Sequence, residues 1–168
     1  RWAPRGSATR LHRARKGRIR EAYGVETVVE ALDISELNSL APMVDRVGQR
    51  FGRLDCLVNN AGRTGASQIS EIDLDEWASV LTINLTAPMA LVKESIPLMR
   101  RAGGGSIVNV ASRVYLSGTG VGYTSSKSGL IGLTKALAVQ LGKDRIRVNA
   151  DNASFVHLSY RYLPQLLF

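Results

Sequence analysis

From about residue 25 onward, short β-branched apolar runs alternate with longer stretches of helical spacing. Residues 27–32 (TVVEAL) are β-branched and bounded by polar positions, which predicts a strand. Leu37, Leu40, Val44, Val47 and Phe51 then recur at intervals of three and four, which predicts a helix. Ser35 is its candidate N-cap; a start nearer Ser39 would instead put Pro42 in the first turn, where proline is tolerated. Gly52 supplies the C-terminal stop. Residues 54–58 form a second apolar run, 106–111 a third after three consecutive glycines, and 146–150 a weaker fourth. Between them lie helical stretches at 74–101, opened by Asp73 and Glu76 as a variant capping box, and at 123–141. Strands alternating with helices predict an α/β fold built on a doubly wound parallel sheet. Ligands of such sheets bind beyond the carboxyl ends of the strands, which directs attention to the residues just after Val58 and Val110.

Composition changes this picture little, and charge only at one end. The 168 residues are 45% hydrophobic and 21% charged, ordinary for a globular domain. Of the 22 basic residues eight fall within residues 1–20, which hold no Asp or Glu, so the net charge of +8 belongs to that segment. Such a block reads first as a disordered or non-native tail, second as a transit peptide and third as a nucleic-acid contact. The chain thus divides into this tail (1–20), an α/β domain (21–150) and a C-terminal segment (151–168). No apolar stretch is long enough to span a bilayer. The single cysteine, Cys56, allows no internal disulfide and fits a reducing, cytoplasmic setting. Flanked by Leu54, Leu57 and Val58, it reads as a small buried hydrophobe.

Candidate chemistry gathers at the two strand ends. Asn59, Asn60, Ala61 and Gly62 offer amides beside residues small enough to let a ligand approach the backbone, though Asn and Gly also serve ordinary turns. Tyr123 and Lys127 are four apart and share one helical face. A free tyrosine holds its proton too tightly for exchange near neutral pH; a neighbouring ammonium favours the phenolate and makes it a usable acid or base. Asn84 precedes Pro88 by four residues, so its carbonyl lacks the usual helical donor and can anchor a water. Asp33 follows the first predicted strand, where an Asp can form an Asx-turn.

Four of these segments occur in an order that resembles the short-chain dehydrogenases/reductases. They are 54–62 (LDCLVNNAG), 83–88 (INLTAP), 105–112 (GSIVNVAS) and 123–127 (YTSSK), and the likeness runs from about residue 21 to 149. It implies a Rossmann-like fold and an NAD(P)-dependent oxidoreductase that interconverts an alcohol and a carbonyl. On the resemblance, Tyr123 is the general acid/base and Ser112 holds the substrate oxygen, with Ser117 as a stand-in. Lys127 assists Tyr123 and binds the nicotinamide ribose, and Asn84 holds a relay water. Asp33, Asn59, Ala61 and Gly62 join Tyr123 and Lys127 in contacting NAD or NADP, which the sequence does not distinguish. A small alcohol or carbonyl is the implied substrate. Gly129 and Gly132, with Ser125, Ser126 and Ser128, give the last helix a small-residue face suited to a homo-oligomer or to close packing within the chain.

The family's Thr-Gly-x-x-x-Gly-x-Gly turn, which cradles the cofactor pyrophosphate, has no match here, nor does its Pro-Gly turn after the last strand. The fold is therefore expected to lack the first βα unit and the C-terminal substrate region. A non-catalytic truncated remnant is the alternative reading, and a basic-tailed nucleic-acid binder the third.

Overall fold

The computed structural model describes Ile19 and residues 21–151. The remainder of the basic segment and all but the first residue of the 151–168 segment lie outside the described residues, and with them the expectations placed there. The chain divides into two units between Asp33 and Ile34. In the first, residues 21–23 are helical and 24–33 carry no regular secondary structure. The strand predicted at 27–32 is therefore not formed. β-branched composition marks a segment that fits a sheet, but a strand exists only where a neighbour completes its ladder. The three strands of the observed sheet pair only with one another.

The second unit is a parallel three-stranded sheet with helices in its crossovers. A 3₁₀ turn (Leu37–Ser39) leads into α1 (Leu40–Phe51). The helix thus starts after Ser39 rather than at Ser35, and Pro42 falls in its first turn. Gly52 ends it in the left-handed region at φ 73°, its N–H bonded to Gly48 O. Strand β1 (Cys56–Asn59) comes next, then α2 (Leu74–Leu81), a π-helical turn (Thr82–Thr86), α3 (Ala87–Arg101) and β2 (Gly105–Val110). A short α4 (Val114–Ser117) precedes α5 (Val121–Leu141), and β3 (Ile146–Asp151) completes the sheet. The order is β1-β2-β3, with Leu57 opposite Ile107 and Ile107 opposite Val148.

Those three residues share one face, because side chains alternate along a strand. Together with Ile146 they pack against Val92 and Met99 of α3 and Leu141 of α5, forming the core. Within this unit the helices cover that face alone. The other carries Cys56, Ser106 and Arg147 in one register row and Val58, Val108 and Asn149 in the next. Cys56 is exposed, contrary to the buried position its apolar neighbours suggest. Sequence neighbours on a strand point to the opposite face, so Leu57 reports nothing about Cys56; its own partner is Ser106, with Sγ and Oγ 3.7 Å apart.

The core also contains a polar ladder. Asn59 Nδ2 donates to Asn109 Oδ1 (2.8 Å), Asn109 Nδ2 to Thr134 Oγ1 (2.8 Å), and Thr134 Oγ1 to Leu130 O (2.7 Å). It ties β1 to β2 and both to α5. Replacing Thr134 with the near-isosteric Val strands a buried Asn109 N–H and should cost about 1–3 kcal/mol in urea unfolding. Ser95 is equally buried, yet its hydroxyl has no partner among the described residues. Ser95→Ala should therefore be neutral or mildly stabilising; equal losses in the two variants would show that the ladder contributes nothing.

Candidate active site

The carboxyl ends of β1 and β2 face the first turns of α5, and there the expected polar residues meet. Lys127 is 3% exposed and its Nζ donates to Val110 O, the last carbonyl of β2, at 2.6 Å. Its ammonium lies 5.7 Å from the ring centroid of the half-buried Tyr123, one helical turn earlier. Burial pushes the Lys127 pKa down to about 8. Ala61 and Gly62 are exposed beyond β1. A Cβ at Gly62 would sit 3.6 Å from Lys127 Nζ and 3.5 Å from Asn84 Oδ1, so glycine keeps the space beside the ammonium open.

Asn84 is fully buried in the π-helical turn. The sequence pattern predicts one helix over 74–101 with a disturbance at Pro88. Instead a turn of wider pitch joins α2 to α3, closed by the Ala87 N–H on Thr82 O. The Asn84 side chain, rather than the carbonyl singled out by sequence, makes the visible contacts. Oδ1 accepts from the Arg63 N–H and Nδ2 donates to Arg63 O, both at 2.8 Å, and Nδ2 also donates to Ser126 Oγ at 2.9 Å. The loop after Gly62 is secured at two further points. Arg63 donates to Ser79 Oγ (2.8 Å), and the Ala66 N–H to Glu76 Oε2 (3.1 Å). Glu76 thus holds this loop instead of closing a capping box with Asp73, whose carboxylate caps Asp75 N.

Ser112 lies two residues past β2, buried, its Oγ accepting from the Val114 N–H at 3.4 Å. Ser117 is exposed at the end of α4, where it donates to Val114 O and accepts from Thr119. The structure therefore brings together Gly62, Asn84, Tyr123 and Lys127, with Ser112 two residues beyond the strand end that Lys127 anchors. The Asn59 side chain is spent in the polar ladder, facing the helices, and its Oδ1 has no partner among the described residues. Asp33 belongs to the first unit. The small-residue face divides: Ser126 is buried, and a Cβ at Gly129 would meet Leu85 at 2.9 Å, whereas Gly132 faces open space and Ser125 and Ser128 are exposed.

Sequence reasoning missed Ser126 as a contact, the Asn109–Thr134 bond and the Glu76 strap. A polar residue inside each otherwise apolar pattern was the available signal. Among the described residues no group of three His, Cys, Asp or Glu could hold a metal, and no helix is long and apolar enough to cross a membrane.

The depressed Lys127 pKa has a consequence for folding. The unfolded chain keeps this proton up to about pH 10.5, the folded one only to about pH 8. Between those values the unfolded state binds more protons, so stability should rise with pH by up to ~3 kcal/mol. Urea unfolding of the chain and of Lys127→Met at pH 7.5, 9 and 10.5 should show that rise in the first and not in the second; parallel curves would contradict the burial.

Comparison with known proteins places this geometry. The family model for short chain dehydrogenases matches residues 7–159, beyond the 21–149 over which the motifs run. The short chain dehydrogenase ausX of Aspergillus calidoustus is 45% identical over 121 residues, 70% of this chain and 47% of that protein. The 3-oxoacyl-acyl-carrier-protein reductase FabG of Thermotoga maritima is 34% identical over 142 residues, 82% and 58% of the two chains. The chain spans about half the length of the curated relatives it matches. Among solved structures, NAD+-bound xylitol dehydrogenase aligns with TM-score 0.80 and 33% identity, covering 88% of this chain and 57% of the other. The L-sorbose reductase of Gluconobacter frateurii, complexed with NADPH and L-sorbose, aligns with TM-score 0.81 and 32% identity, covering 86% and 55%. With the parallel sheet and the Tyr123–Lys127 helix already in place, the match over residues 7–159 settles the family: this chain belongs to the short-chain dehydrogenases.

Proposed function

We propose that this chain carries the acid–base half of an NAD(P)-dependent oxidoreductase that interconverts an alcohol and a carbonyl. The observation that supports this best is the buried Lys127 ammonium, set 5.7 Å from the Tyr123 ring beside the open space at Gly62. Tyr123 is the proton donor to the carbonyl oxygen during reduction, and takes that proton back during oxidation. The positive charge of Lys127 stabilises the phenolate that forms when the proton leaves. Ser112 orients the substrate oxygen; its Oγ accepts from Val114 and leaves its own O–H for that purpose. Asn84 holds a water that continues the proton path, its backbone carbonyl denied the helical donor by Pro88.

The residues around Gly62 suit a nicotinamide cofactor at its ribose end. Ribose hydroxyls can replace Val110 O as partners of Lys127 Nζ, and glycine leaves them room. When bound, the nicotinamide supplies or accepts the hydride, which lies outside amino-acid chemistry. NAD and NADP are both open to this chain, and the two similar structures named above hold one each. The substrate is a small alcohol or carbonyl. Ser125, Ser128 and Gly132, exposed along α5 above the 85%-exposed Val139, form the surface proposed for self-association.

Two measurements test the reading. A thermal melt with NADH or NADPH at about 100 times its dissociation constant should gain about 2.7 kcal/mol, a rise of several degrees. No shift with either nucleotide would remove the cofactor from the proposal. Turnover of a small ketone should fall by about two orders of magnitude or more in Tyr123→Phe while nucleotide binding persists; an active Tyr123→Phe chain would sink the assignment of that residue.

A further inference from the structure

We infer that Ser126 is a positioning residue, whose buried hydroxyl ties the Asn84 carboxamide, and through it the Arg63 loop, to the helical turn that carries Tyr123 and Lys127. The inference rests on the acid–base reading above for its consequence, and on hydrogen-bond geometry for its existence.

Ser126 is 0% exposed, with one proton to give and lone pairs to offer. The proton goes to Tyr123 O at 2.8 Å, three residues back in the same helix. The lone pair left over takes the second N–H of Asn84 at 2.9 Å. Asn84 cannot turn its amide over. Oδ1 already meets the Arg63 N–H and Nδ2 already meets Arg63 O, so a flip would set donor against donor and acceptor against acceptor. Every amide proton of Asn84 is thereby committed, one to the loop and one to Ser126. Three segments distant in sequence meet at this carboxamide: the loop after β1, the π-helical turn and α5.

Neighbouring serines lack these bonds. Ser125 and Ser128 are exposed. Gly129, three residues after Ser126, receives Leu85 of the same π-helical turn at a distance a Cβ would obstruct. The turn is therefore seated on α5 at two points, a steric one at Gly129 and a directional one at Ser126. Of these two only the second is directional, because a hydrogen bond is oriented and an apolar contact is not. Lys127 is the next residue, so local play released at Ser126 in this turn of α5 acts on how its Nζ meets Val110 O.

The test compares the full chain with Ser126→Ala, which keeps helix propensity but removes the hydroxyl, and Ser126→Thr, which retains it. Ser126→Cys is the substitute should the alanine variant fail to fold. Side-chain and backbone amide resonances of Asn84 and Arg63 should shift in the alanine variant and return toward their original positions with threonine. With NADPH or NADH and cyclohexanone as probes, kcat should fall about tenfold in the alanine variant with KM changed less than about twofold, and threonine should recover it. If Asn84 and Arg63 resonances stay put in the alanine variant, or kcat is unchanged while they move, Ser126 is a local helix contact and the inference fails. A parent chain that turns over neither probe counts against the acid–base reading, and the resonances still decide whether the junction exists.

Discussion

The bond between Asn109 and Thr134 is the constraint on which the site's geometry depends. A helix lying on a sheet through Leu, Ile and Val contacts can slide or rotate at little cost, since apolar contact has no direction. Asn109 Nδ2 on Thr134 Oγ1 removes that freedom: it joins one residue of β2 to one residue of α5 within the buried layer. Asn59, bonded to the same carboxamide, sets β1 in line with them. Lys127 lies two helical turns before Thr134, and its acceptor, Val110 O, belongs to the residue after Asn109. Fixing one pair largely fixes the other. Asn59, which resembles a ligand group when read along the chain, thus acts with Asn109 from beneath the candidate site.

Burial explains why so few residues can make this site. A cation 3% exposed loses most of its hydration, and it tolerates that position because Val110 O and the ring face of Tyr123 stand in for water. The same shielding lowers its pKa, so the group lies nearer to releasing its proton than a surface lysine does. Asn84 illustrates the neutral version of this rule. With no exposure at all, its amide must find partners from the protein, and it takes them from a loop and a helix distant in sequence.

The range of each interaction decides how far sequence could reveal it. The helices were legible because their signals are local: spacing of Leu37 to Phe51, the Gly52 stop and the Asp73 cap all lie within a few residues of the features they determine. The strands at β1, β2 and β3 were legible as apolar runs, and Tyr123 and Lys127 as partners because one helical turn separates them. The strand at 27–32 and the burial of Cys56 failed because each depends on the neighbour across a sheet, which residue type does not encode. The π-helical turn failed for a related reason. Pro88 marks a break in the hydrogen-bond pattern, but whether the helix kinks or widens is decided by the partners available to Asn84, 21 residues back at Arg63 and 42 residues on at Ser126.

The two faces of the sheet carry the last step. Ile107 and Asn109 alternate with Ser106, Val108 and Val110, so one strand supplies both the packed layer and the opposite surface. On the packed side apolar residues occupy the start of β2 and Asn109 its end, so the layer changes from hydrophobic to polar along the direction of the strand. That gradient runs toward the carboxyl ends of the strands. It lets Leu57, Ile107 and Val148 exclude water from the core while Asn59 bonds to Asn109 and Asn109 to Thr134, and Val110 O meets Lys127 near the start of α5. The polar end cannot be moved inward without stranding amides in the core, nor the apolar end outward without exposing it. The position of the site at the carboxyl ends of the strands is thus a consequence of how the sequence partitions one face of β2.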